Sequence, residues 1–336
     1  MKLAIVTAYP PSKVTLNEYA YHLVKSFRKN HNVTELILLT DKANGKQDIS
    51  FSEAGCKITV KECWAFNNYT NIITVTKAIH QTTPDAVLFN LQFMKFGDKK
   101  IAAALGLMLP LICKLKKIPT IVLLHNILEQ VDLESAGFTS NKLAQRLYSF
   151  IGTTLTKAIL KADLVAVTME KYVTTLKEKY GVENVKMIPH GTFEIPGTPS
   201  YVLPEGPLKI MTFGKFGTYK KVEAMIEAVV AVRKSTGLDL EIVIAGTDNP
   251  NVPGYLNRVK DKYDHVLQLT FTGYVEECQV EPLFKESAVV VFPYTSTTGS
   301  SGVLHQAGSY GSAVVMPNLG DLTTLIEDEG YRGEYF

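Results

Sequence analysis

The sequence has no long hydrophobic run, little cysteine and no excess of either charge. Its longest apolar stretch, residues 101–113, contains Pro110. That is shorter than the roughly 20 residues a helix needs to cross a bilayer. The N-terminus, MKLAIVTAYPP, lacks the extended apolar centre of a signal peptide and reads as a first strand. The four cysteines, Cys56, Cys63, Cys113 and Cys278, are scattered. No CxxC or His/Cys grouping offers metal-ligand spacing, so a reduced, cytoplasmic, metal-free chain is expected. Lys and Arg number 35 against 33 Asp and Glu, a net charge of +2. With no basic run and no aromatic–basic alternation, that balance argues against nucleic acid as a partner. There is no internal repeat and no low-complexity tract. Neither half shows GxGxxG after its first strand, and no GxxxxGK[ST] occurs, which argues against a nicotinamide site and a P-loop.

The 336 residues suffice for two domains with separate cores. A hydrophobic fraction of 46% with 20% charged residues suits a globular chain. Strands are expected at residues 2–7, 35–39, 57–62, 86–90, 120–124, 164–168 and 185–188, with helices filling most gaps. Leu16, Tyr19, Ala20, Leu23, Val24 and Phe27 recur at helical spacing and predict a helix burying that stripe. Between residues 193 and 207 the texture changes: Pro196, Pro199, Pro204 and Pro207, with Gly197 and Gly206, suit a linker. A second alternation follows, with strands at 209–213, 241–245, 267–271, 289–292 and 313–316. Its helices are expected near 221–233, 255–262, 280–285, 302–310 and 322–328. The fold class is therefore α/β: residues 1–195 and 208–336 form two doubly wound parallel sheets joined by a linker at 196–207, with a cleft between them. Ligands of such sheets bind at the carboxyl ends of strands.

Two loops carry the chemistry. The first lies in VVVFPYTSTTGSSGVLHQAGSYGSAVVM, residues 289–316. It presents Thr297, Thr298, Gly299, Ser300, Ser301 and Gly302 ahead of a helix that Gly311 stops. A helix N-terminus carries partial positive charge and unpaired N–H donors, so it suits a phosphate. A structural cap needs one hydroxyl, whereas Thr297, Thr298, Ser300 and Ser301 stand here together. The second loop, residues 212–221, contains Gly214, Lys215, Gly217, Lys220 and Lys221 at the head of a helix whose inward face is Val222, Met225, Ile226, Val229 and Val230. Cations oppose the dipole there, and an anionic ligand removes that cost. Lys215 and Lys220 are expected on the cleft surface, within reach of one diphosphate. Solvated surface lysines are the alternative.

Gly214-Lys215, then Lys220 six residues after the glycine, then an amphipathic helix, resembles the phosphate loop of retaining glycosyltransferases of the GT-B fold, family GT4. IVIAG at 242–246, FTGYV at 271–275 and VVVFPY with SSGVLHQAGSYGSAVVMPN are similar to its following elements. In the first half TAYPP with LNEYAYHL, LLHN at 123–126, VTMEKY and VKMIPHG resemble its strand ends. The resemblance implies two Rossmann-like domains, acceptor side first and nucleotide-sugar side second. It implies a metal-independent transferase that moves a hexose from a nucleoside-diphosphate sugar to a hydroxyl with retained configuration. The donor is a co-substrate, and no cofactor is expected. His125, Lys215 and Lys220 take the catalytic positions. Gly214, Gly273, Tyr274, Val275, Thr298, Gly299, Ser300, Ser301, Gly302 and Gln306 bind the donor, with the nucleobase held by backbone groups at 273–275. Asn17, Glu18 and Asn126 face the acceptor, a saccharide or lipid-linked saccharide.

The chain departs from the family at specific places. The usual two glutamates, eight residues apart, are replaced by Thr298 and Gln306. An amide at the ribose position accepts without charge. Val14 and Thr15 replace the paired glycines of the first loop. The chain ends at Phe336 where the family continues into further helices, so truncation is expected. These departures keep two rivals open: a non-catalytic nucleotide-sugar-binding protein or inactive subunit, and an epimerase on the same fold. Without the resemblance, His125 reads as a structural histidine, His190 as structural or cleft-lining, His305 as packed, and Asn17 and Glu18 as helix-start residues. Glu129, Asp132 and Glu134 read as solvated charges or acceptor contacts, and Glu170 as a favourable helix-start carboxylate. Lys114, Lys116 and Lys117 suit a helix C-terminus; their other reading is peripheral contact at the inner face of a membrane, as relatives with lipid-linked acceptors imply.

Overall fold

The computed structural model describes residues 1–12, 14–42, 49–128, 142–191, 198–199, 201–249, 252–296, 299–330 and 333–336. Contacts divide the chain into two compact units, Met1–Pro189 and His190–Phe336. The described residues of the Pro-rich stretch, 198–199 and 201–207, therefore belong with the second unit; Pro196 and Gly197 lie outside the described residues.

The first unit runs β1 (Lys2–Val6), α1 (Asn17–Phe27), β2 (Glu35–Asp41), β3 (Ile49–Glu53), β4 (Cys56–Trp64), α2 (Asn71–Thr82), β5 (Ala86–Leu91), α3 (Lys100–Leu107), α4 (Leu109–Leu115), β6 (Thr120–Leu124), α5 (Lys142–Ile159), β7 (Leu164–Val167), α6 (Glu170–Tyr180) and β8 (Val185–Met187). Its strand order is β3-β4-β2-β1-β5-β6-β7-β8. All described pairs are parallel except β3 with β4. Strand β3 was not anticipated, because all five of its residues are exposed and carry no burial pattern. The core joins Leu3 and Ile5 of β1 to Leu36 and Leu38 of β2, Leu88 of β5 and Val24 of α1. Each such fully buried aliphatic side chain contributes about 1.5–3 kcal/mol.

The second unit runs β9 (Leu208–Phe216), α7 (Glu223–Thr236), β10 (Leu240–Asp248), α8 (Tyr255–Lys262), β11 (Leu269–Gly273), α9 (Glu277–Lys285), β12 (Ser287–Val291), α10 (Gly302–Tyr310), β13 (Ala313–Met316), α11 (Gly320–Glu329) and β14 (Glu334–Tyr335). Its parallel order is β11-β10-β9-β12-β13-β14. Val222, Met225, Ile226 and Val229 bury against Ile242 and Ile244, as their helical spacing requires. Val230, expected inward, is 38% exposed because it lies past the edge of that face. Gly237 ends α7 at φ 70°, its N–H bonded to the Arg233 carbonyl at 2.9 Å.

Each sheet has one point where chain order reverses, between β1 and β5 and between β9 and β12. Loops that leave the carboxyl ends of strands flanking such a point diverge and open a crevice. Among the described residues no helix is long and apolar enough to cross a membrane.

Candidate functional site

In the second unit the loops after β9 and β12 are laced together. Lys220 and Tyr294 pair as an antiparallel bridge. Lys221 N–H donates to the Pro293 carbonyl at 3.0 Å, and Thr295 N–H to the Tyr219 carbonyl at 2.8 Å. β9 continues to Phe216, so Gly214 and Lys215 sit in the strand rather than in the loop expected after residue 213. The reason is pairing: β10 runs beside β9 as far as Asp248, opposite Phe216. Gly214 lies opposite Gly246, where a Cβ would fall 1.9 Å from the Gly214 carbonyl oxygen. A Cβ on Gly214 itself would fall 2.7 Å from the Lys220 Nζ. Glycine is needed at 246 for that close approach and at 214 for its φ of 139°.

Lys215 is exposed on β9. Lys220, expected on the surface as well, is only 9% exposed. The bridge to Tyr294 draws its backbone inward, and the side chain lies beneath two aromatic rings. Its Nζ stands 5.9 Å from the Tyr219 ring and 4.7 Å from the Tyr294 ring. No carboxylate or hydrogen-bond acceptor partners that ammonium among the described residues. Burial pushes its pKa below the ordinary lysine value, and Tyr219 acts the other way. The Thr212 and Thr218 hydroxyls are also buried without partners among the described residues. An uncompensated buried cation is costly, and cation–π contacts of about 0.5–2 kcal/mol offset part of that cost. An anion beside Lys220 would remove the rest.

α10 begins close by in the fold. Ser301 is its N-cap, at φ −94° and ψ 106°, with Oγ accepting from Leu304 N–H at 3.3 Å. Thus one hydroxyl of the loop has the capping role. Burial pushes the Tyr294 phenol pKa up, and the nearby Ser301 side chain acts the other way. Tyr294 therefore links Lys220 to the start of α10. Gly299 is buried and donates its N–H to the Asp321 carboxylate at 2.9 Å, so that donor is already taken. The N–H groups of Gly302 and Val303 have no acceptor among the described residues. Ser300 is half-buried. Gln306 is 7% exposed, in a helix that also buries Leu304, His305, Ala307 and Tyr310. Thr297 and Thr298 lie outside the described residues.

His305 is buried and stacks on His190, with centroids 5.3 Å apart and planes at 7°. Its Nδ1 lies 3.3 Å from the Glu329 carboxylate. Burial, with a smaller push from His190, lowers its pKa to about 4. The contact with Glu329 is then a hydrogen bond from a neutral ring at pH 7. At the end of β11, Gly273 has φ 69°. Tyr274 is 66% exposed and Val275 half-buried.

In the first unit the polar groups gather beside β1 and β5. His125 follows β6, and its N–H donates to the Leu91 carbonyl at 3.0 Å. Its Nε2 is 2.7 Å from Asn90 Oδ1. Asn126 Oδ1 accepts from Phe93 N–H at 3.4 Å, so Asn126 braces the turn after β5. Asn17 does not cap α1: Leu16 is the N-cap residue, at φ 70°, and Asn17 Nδ2 donates to the Ser12 carbonyl at 2.6 Å. Glu18 is exposed in the first turn. Glu129, Asp132 and Glu134 lie outside the described residues.

The loop after β1 is pinned from below. Lys95 is fully buried, and its Nζ donates to the Thr15 carbonyl at 2.7 Å. Ser12 Oγ donates to Asp41 Oδ2 at 2.6 Å, while the buried Asp41 Oδ1 has no partner among the described residues. Burial lowers the Lys95 pKa to about 7, against an opposing pull from Asp41. Asn90, Thr7, Lys95, Asp321 and Tyr294 were not singled out from the sequence. Asn90 had a readable signal, as the one polar residue in the apolar strand AVLFNL. Tyr294 had none, because an aromatic after a buried strand reads as core.

Residues 207–334 match the family described as Glycosyl transferases group 1. No curated protein matches the chain in sequence. Among solved structures the chain is similar to sucrose-phosphate synthase from Thermosynechococcus elongatus, at 15% identity and TM-score 0.70, over 100% of this chain and 85% of that one. It is similar to Anabaena HepE in complex with UDP-glucose, at 13% identity and TM-score 0.66, over 100% and 85%. It is also similar to WaaG, a glycosyltransferase involved in lipopolysaccharide biosynthesis, at 12% identity and TM-score 0.64, over 99% and 85%. The likeness is one of fold: two α/β units of the GT-B type.

Proposed function

We propose that the protein is a retaining GT4 glycosyltransferase that moves a hexose from a nucleoside-diphosphate sugar to a hydroxyl acceptor without a metal. The observation that carries this reading is Lys220: a buried ammonium without a carboxylate, tied through Tyr294 to the start of α10. It lies within the region that matches a glycosyltransferase family. The bond from the sugar C1 to the diphosphate breaks as the acceptor oxygen bonds to C1. The acceptor proton passes to the diphosphate, as the resemblance implies. Negative charge therefore grows on the leaving oxygens, and a preorganised cation in a dry setting stabilises that charge most. In this reading Lys220 and the Gly302 and Val303 N–H groups meet the diphosphate, with the exposed Lys215 on its outer side. Ser300 and Ser301 line the same loop. Gln306 accepts from the ribose, the 273–275 backbone holds the base, and Thr298 faces the sugar. His125 serves the reacting sugar, with Asn17, Glu18 and Asn126 on the acceptor side. The setting proposed is cytoplasmic, with the acceptor a saccharide or a lipid-linked saccharide.

The uncharged Gln306 favours a second reading, a nucleotide-sugar-binding protein without turnover. Calorimetry and product release with a panel of nucleoside-diphosphate hexoses separate the two. Release of nucleoside diphosphate that depends on an acceptor supports the transferase; tight binding with no release over hours supports the second reading. No binding of any nucleoside diphosphate overturns both.

A further inference from the structure

Three polar side chains stand in a row at the carboxyl ends of three adjacent strands. Thr7 follows β1, Asn90 lies in β5 and His125 follows β6. Thr7 and Asn90 are both fully buried. A buried amide is costly unless its groups are hydrogen-bonded, and an aliphatic residue would fill an apolar strand more cheaply. Both ends of the Asn90 amide are engaged. Nδ2 lies 3.0 Å from Thr7 Oγ1, and Oδ1 lies 2.7 Å from His125 Nε2. The Thr7 hydroxyl in turn donates to the Ala8 carbonyl at 2.9 Å.

The row has a direction. Its last member, a carbonyl, only accepts. The Thr7 hydroxyl spends its proton there and offers Asn90 a lone pair. Asn90 must then donate to Thr7 through nitrogen and accept from His125 through oxygen. All three bonds form only if the imidazole carries its proton on Nε2. The reverse direction leaves the Ala8 contact unmade. Tyr19 of α1 holds the ring from another side, edge-on at 4.5 Å and 84°.

We propose that Asn90, backed by Thr7, is a positioning residue that holds His125 as the neutral tautomer protonated on Nε2. The ring's acceptor is then Nδ1. An amide, unlike a carboxylate, gives an imidazolium no ionic stabilisation. His125 would therefore meet a ligand as a neutral ring rather than as a cation for a phosphate oxygen. Only its service to a sugar rests on the transferase reading; the tautomer does not.

The test is nitrogen-15 NMR of histidine-labelled protein, with the His125 signals identified by their loss in His125→Gln. Wild type should show a neutral ring protonated on Nε2 at pH 7. Thr7→Val and Asn90→Leu should each give a mixture of tautomers. Asn90→Asp, the same size, should raise the ring's proton affinity about tenfold and move the acid limb of any transfer profile up by about one unit. In transfer assays Asn90→Leu should lower kcat about tenfold, the scale of one misplaced hydrogen bond to the reacting sugar, with donor KM nearly unchanged. A wild-type ring protonated on Nδ1 would overturn the proposal. So would an unchanged tautomer in folded Thr7→Val or Asn90→Leu. If wild type transfers no sugar, the spectrum still decides the tautomer, and only the transferase reading falls.

Discussion

The Lys220 ammonium lies 4.7 Å from the centre of the Tyr294 ring, and the backbones of the two residues pair as a bridge. Two loops separated by a long stretch of chain thereby hold one cation between them. Local helix physics would place that lysine in water; the bridge buries it.

Lys220→Met therefore separates stability from function. The methionine keeps the shape of the side chain and removes the desolvated charge. Folded stability in urea should rise by about 1 kcal/mol, the scale of gain found when a strained functional residue is relaxed. Affinity for nucleoside diphosphate should fall by about 1.5–3 kcal/mol, the scale of a lost hydrogen bond to a charged group. Unchanged calorimetric affinity in the folded variant would remove Lys220 from the phosphate site.

Sugar transfer should persist in excess EDTA. Lysine and helix-terminal N–H groups take the place of a divalent ion in the proposed site. Activity lost in EDTA and restored by magnesium or manganese would count against it.

Gln306→Glu places a carboxylate at a position only 7% exposed. If this residue meets the ribose, the nucleotide should bind at least as tightly, because a charged acceptor strengthens the bonds to its hydroxyls. Transfer should continue. The unliganded protein should lose about 1–3 kcal/mol of stability through the buried charge. A large loss of nucleotide affinity in folded protein would show that Gln306 is not at the ribose.

Lys95 makes stability depend on pH in the alkaline direction. Its folded pKa is lowered to about 7 from 10.5, so between those values the unfolded chain binds more protons. The penalty for burying the ammonium is complete below pH 7 and is relieved as pH rises. From pH 7 to 9 Lys95 should add up to about 1.4 kcal/mol of stability per pH unit. Lys95→Met should lack that slope in urea titrations at pH 7, 8 and 9. Equal slopes in both proteins would show that Lys95 is not protonated differently on folding.

Much was legible in the sequence because it is written locally. β-Branched runs are strands whatever their neighbours, and the stripe of Val222, Met225, Ile226 and Val229 faces a core in any packing. The alternation of such elements led to two doubly wound α/β units, and the loops after strands pointed to 212–221 and 289–302, which the structure bridges through Lys220 and Tyr294. The helix expected near 302–310 is α10, Gly302–Tyr310.

What the tertiary structure decided are pairings between distant residues. Gly246 had to be glycine because the Gly214 carbonyl oxygen stands against it across the sheet. Lys220 is buried because Tyr294, from another βα unit, bridges to it. The Gly299 N–H is occupied by Asp321 of the next helix rather than open to a ligand. The direction of the row from His125 through Asn90 to Thr7 depends on β5 lying directly beside β1, although β2, β3 and β4 come between them in the chain. Residue type sets what each group can donate or accept; only the fold sets which partner stands within 3 Å of it.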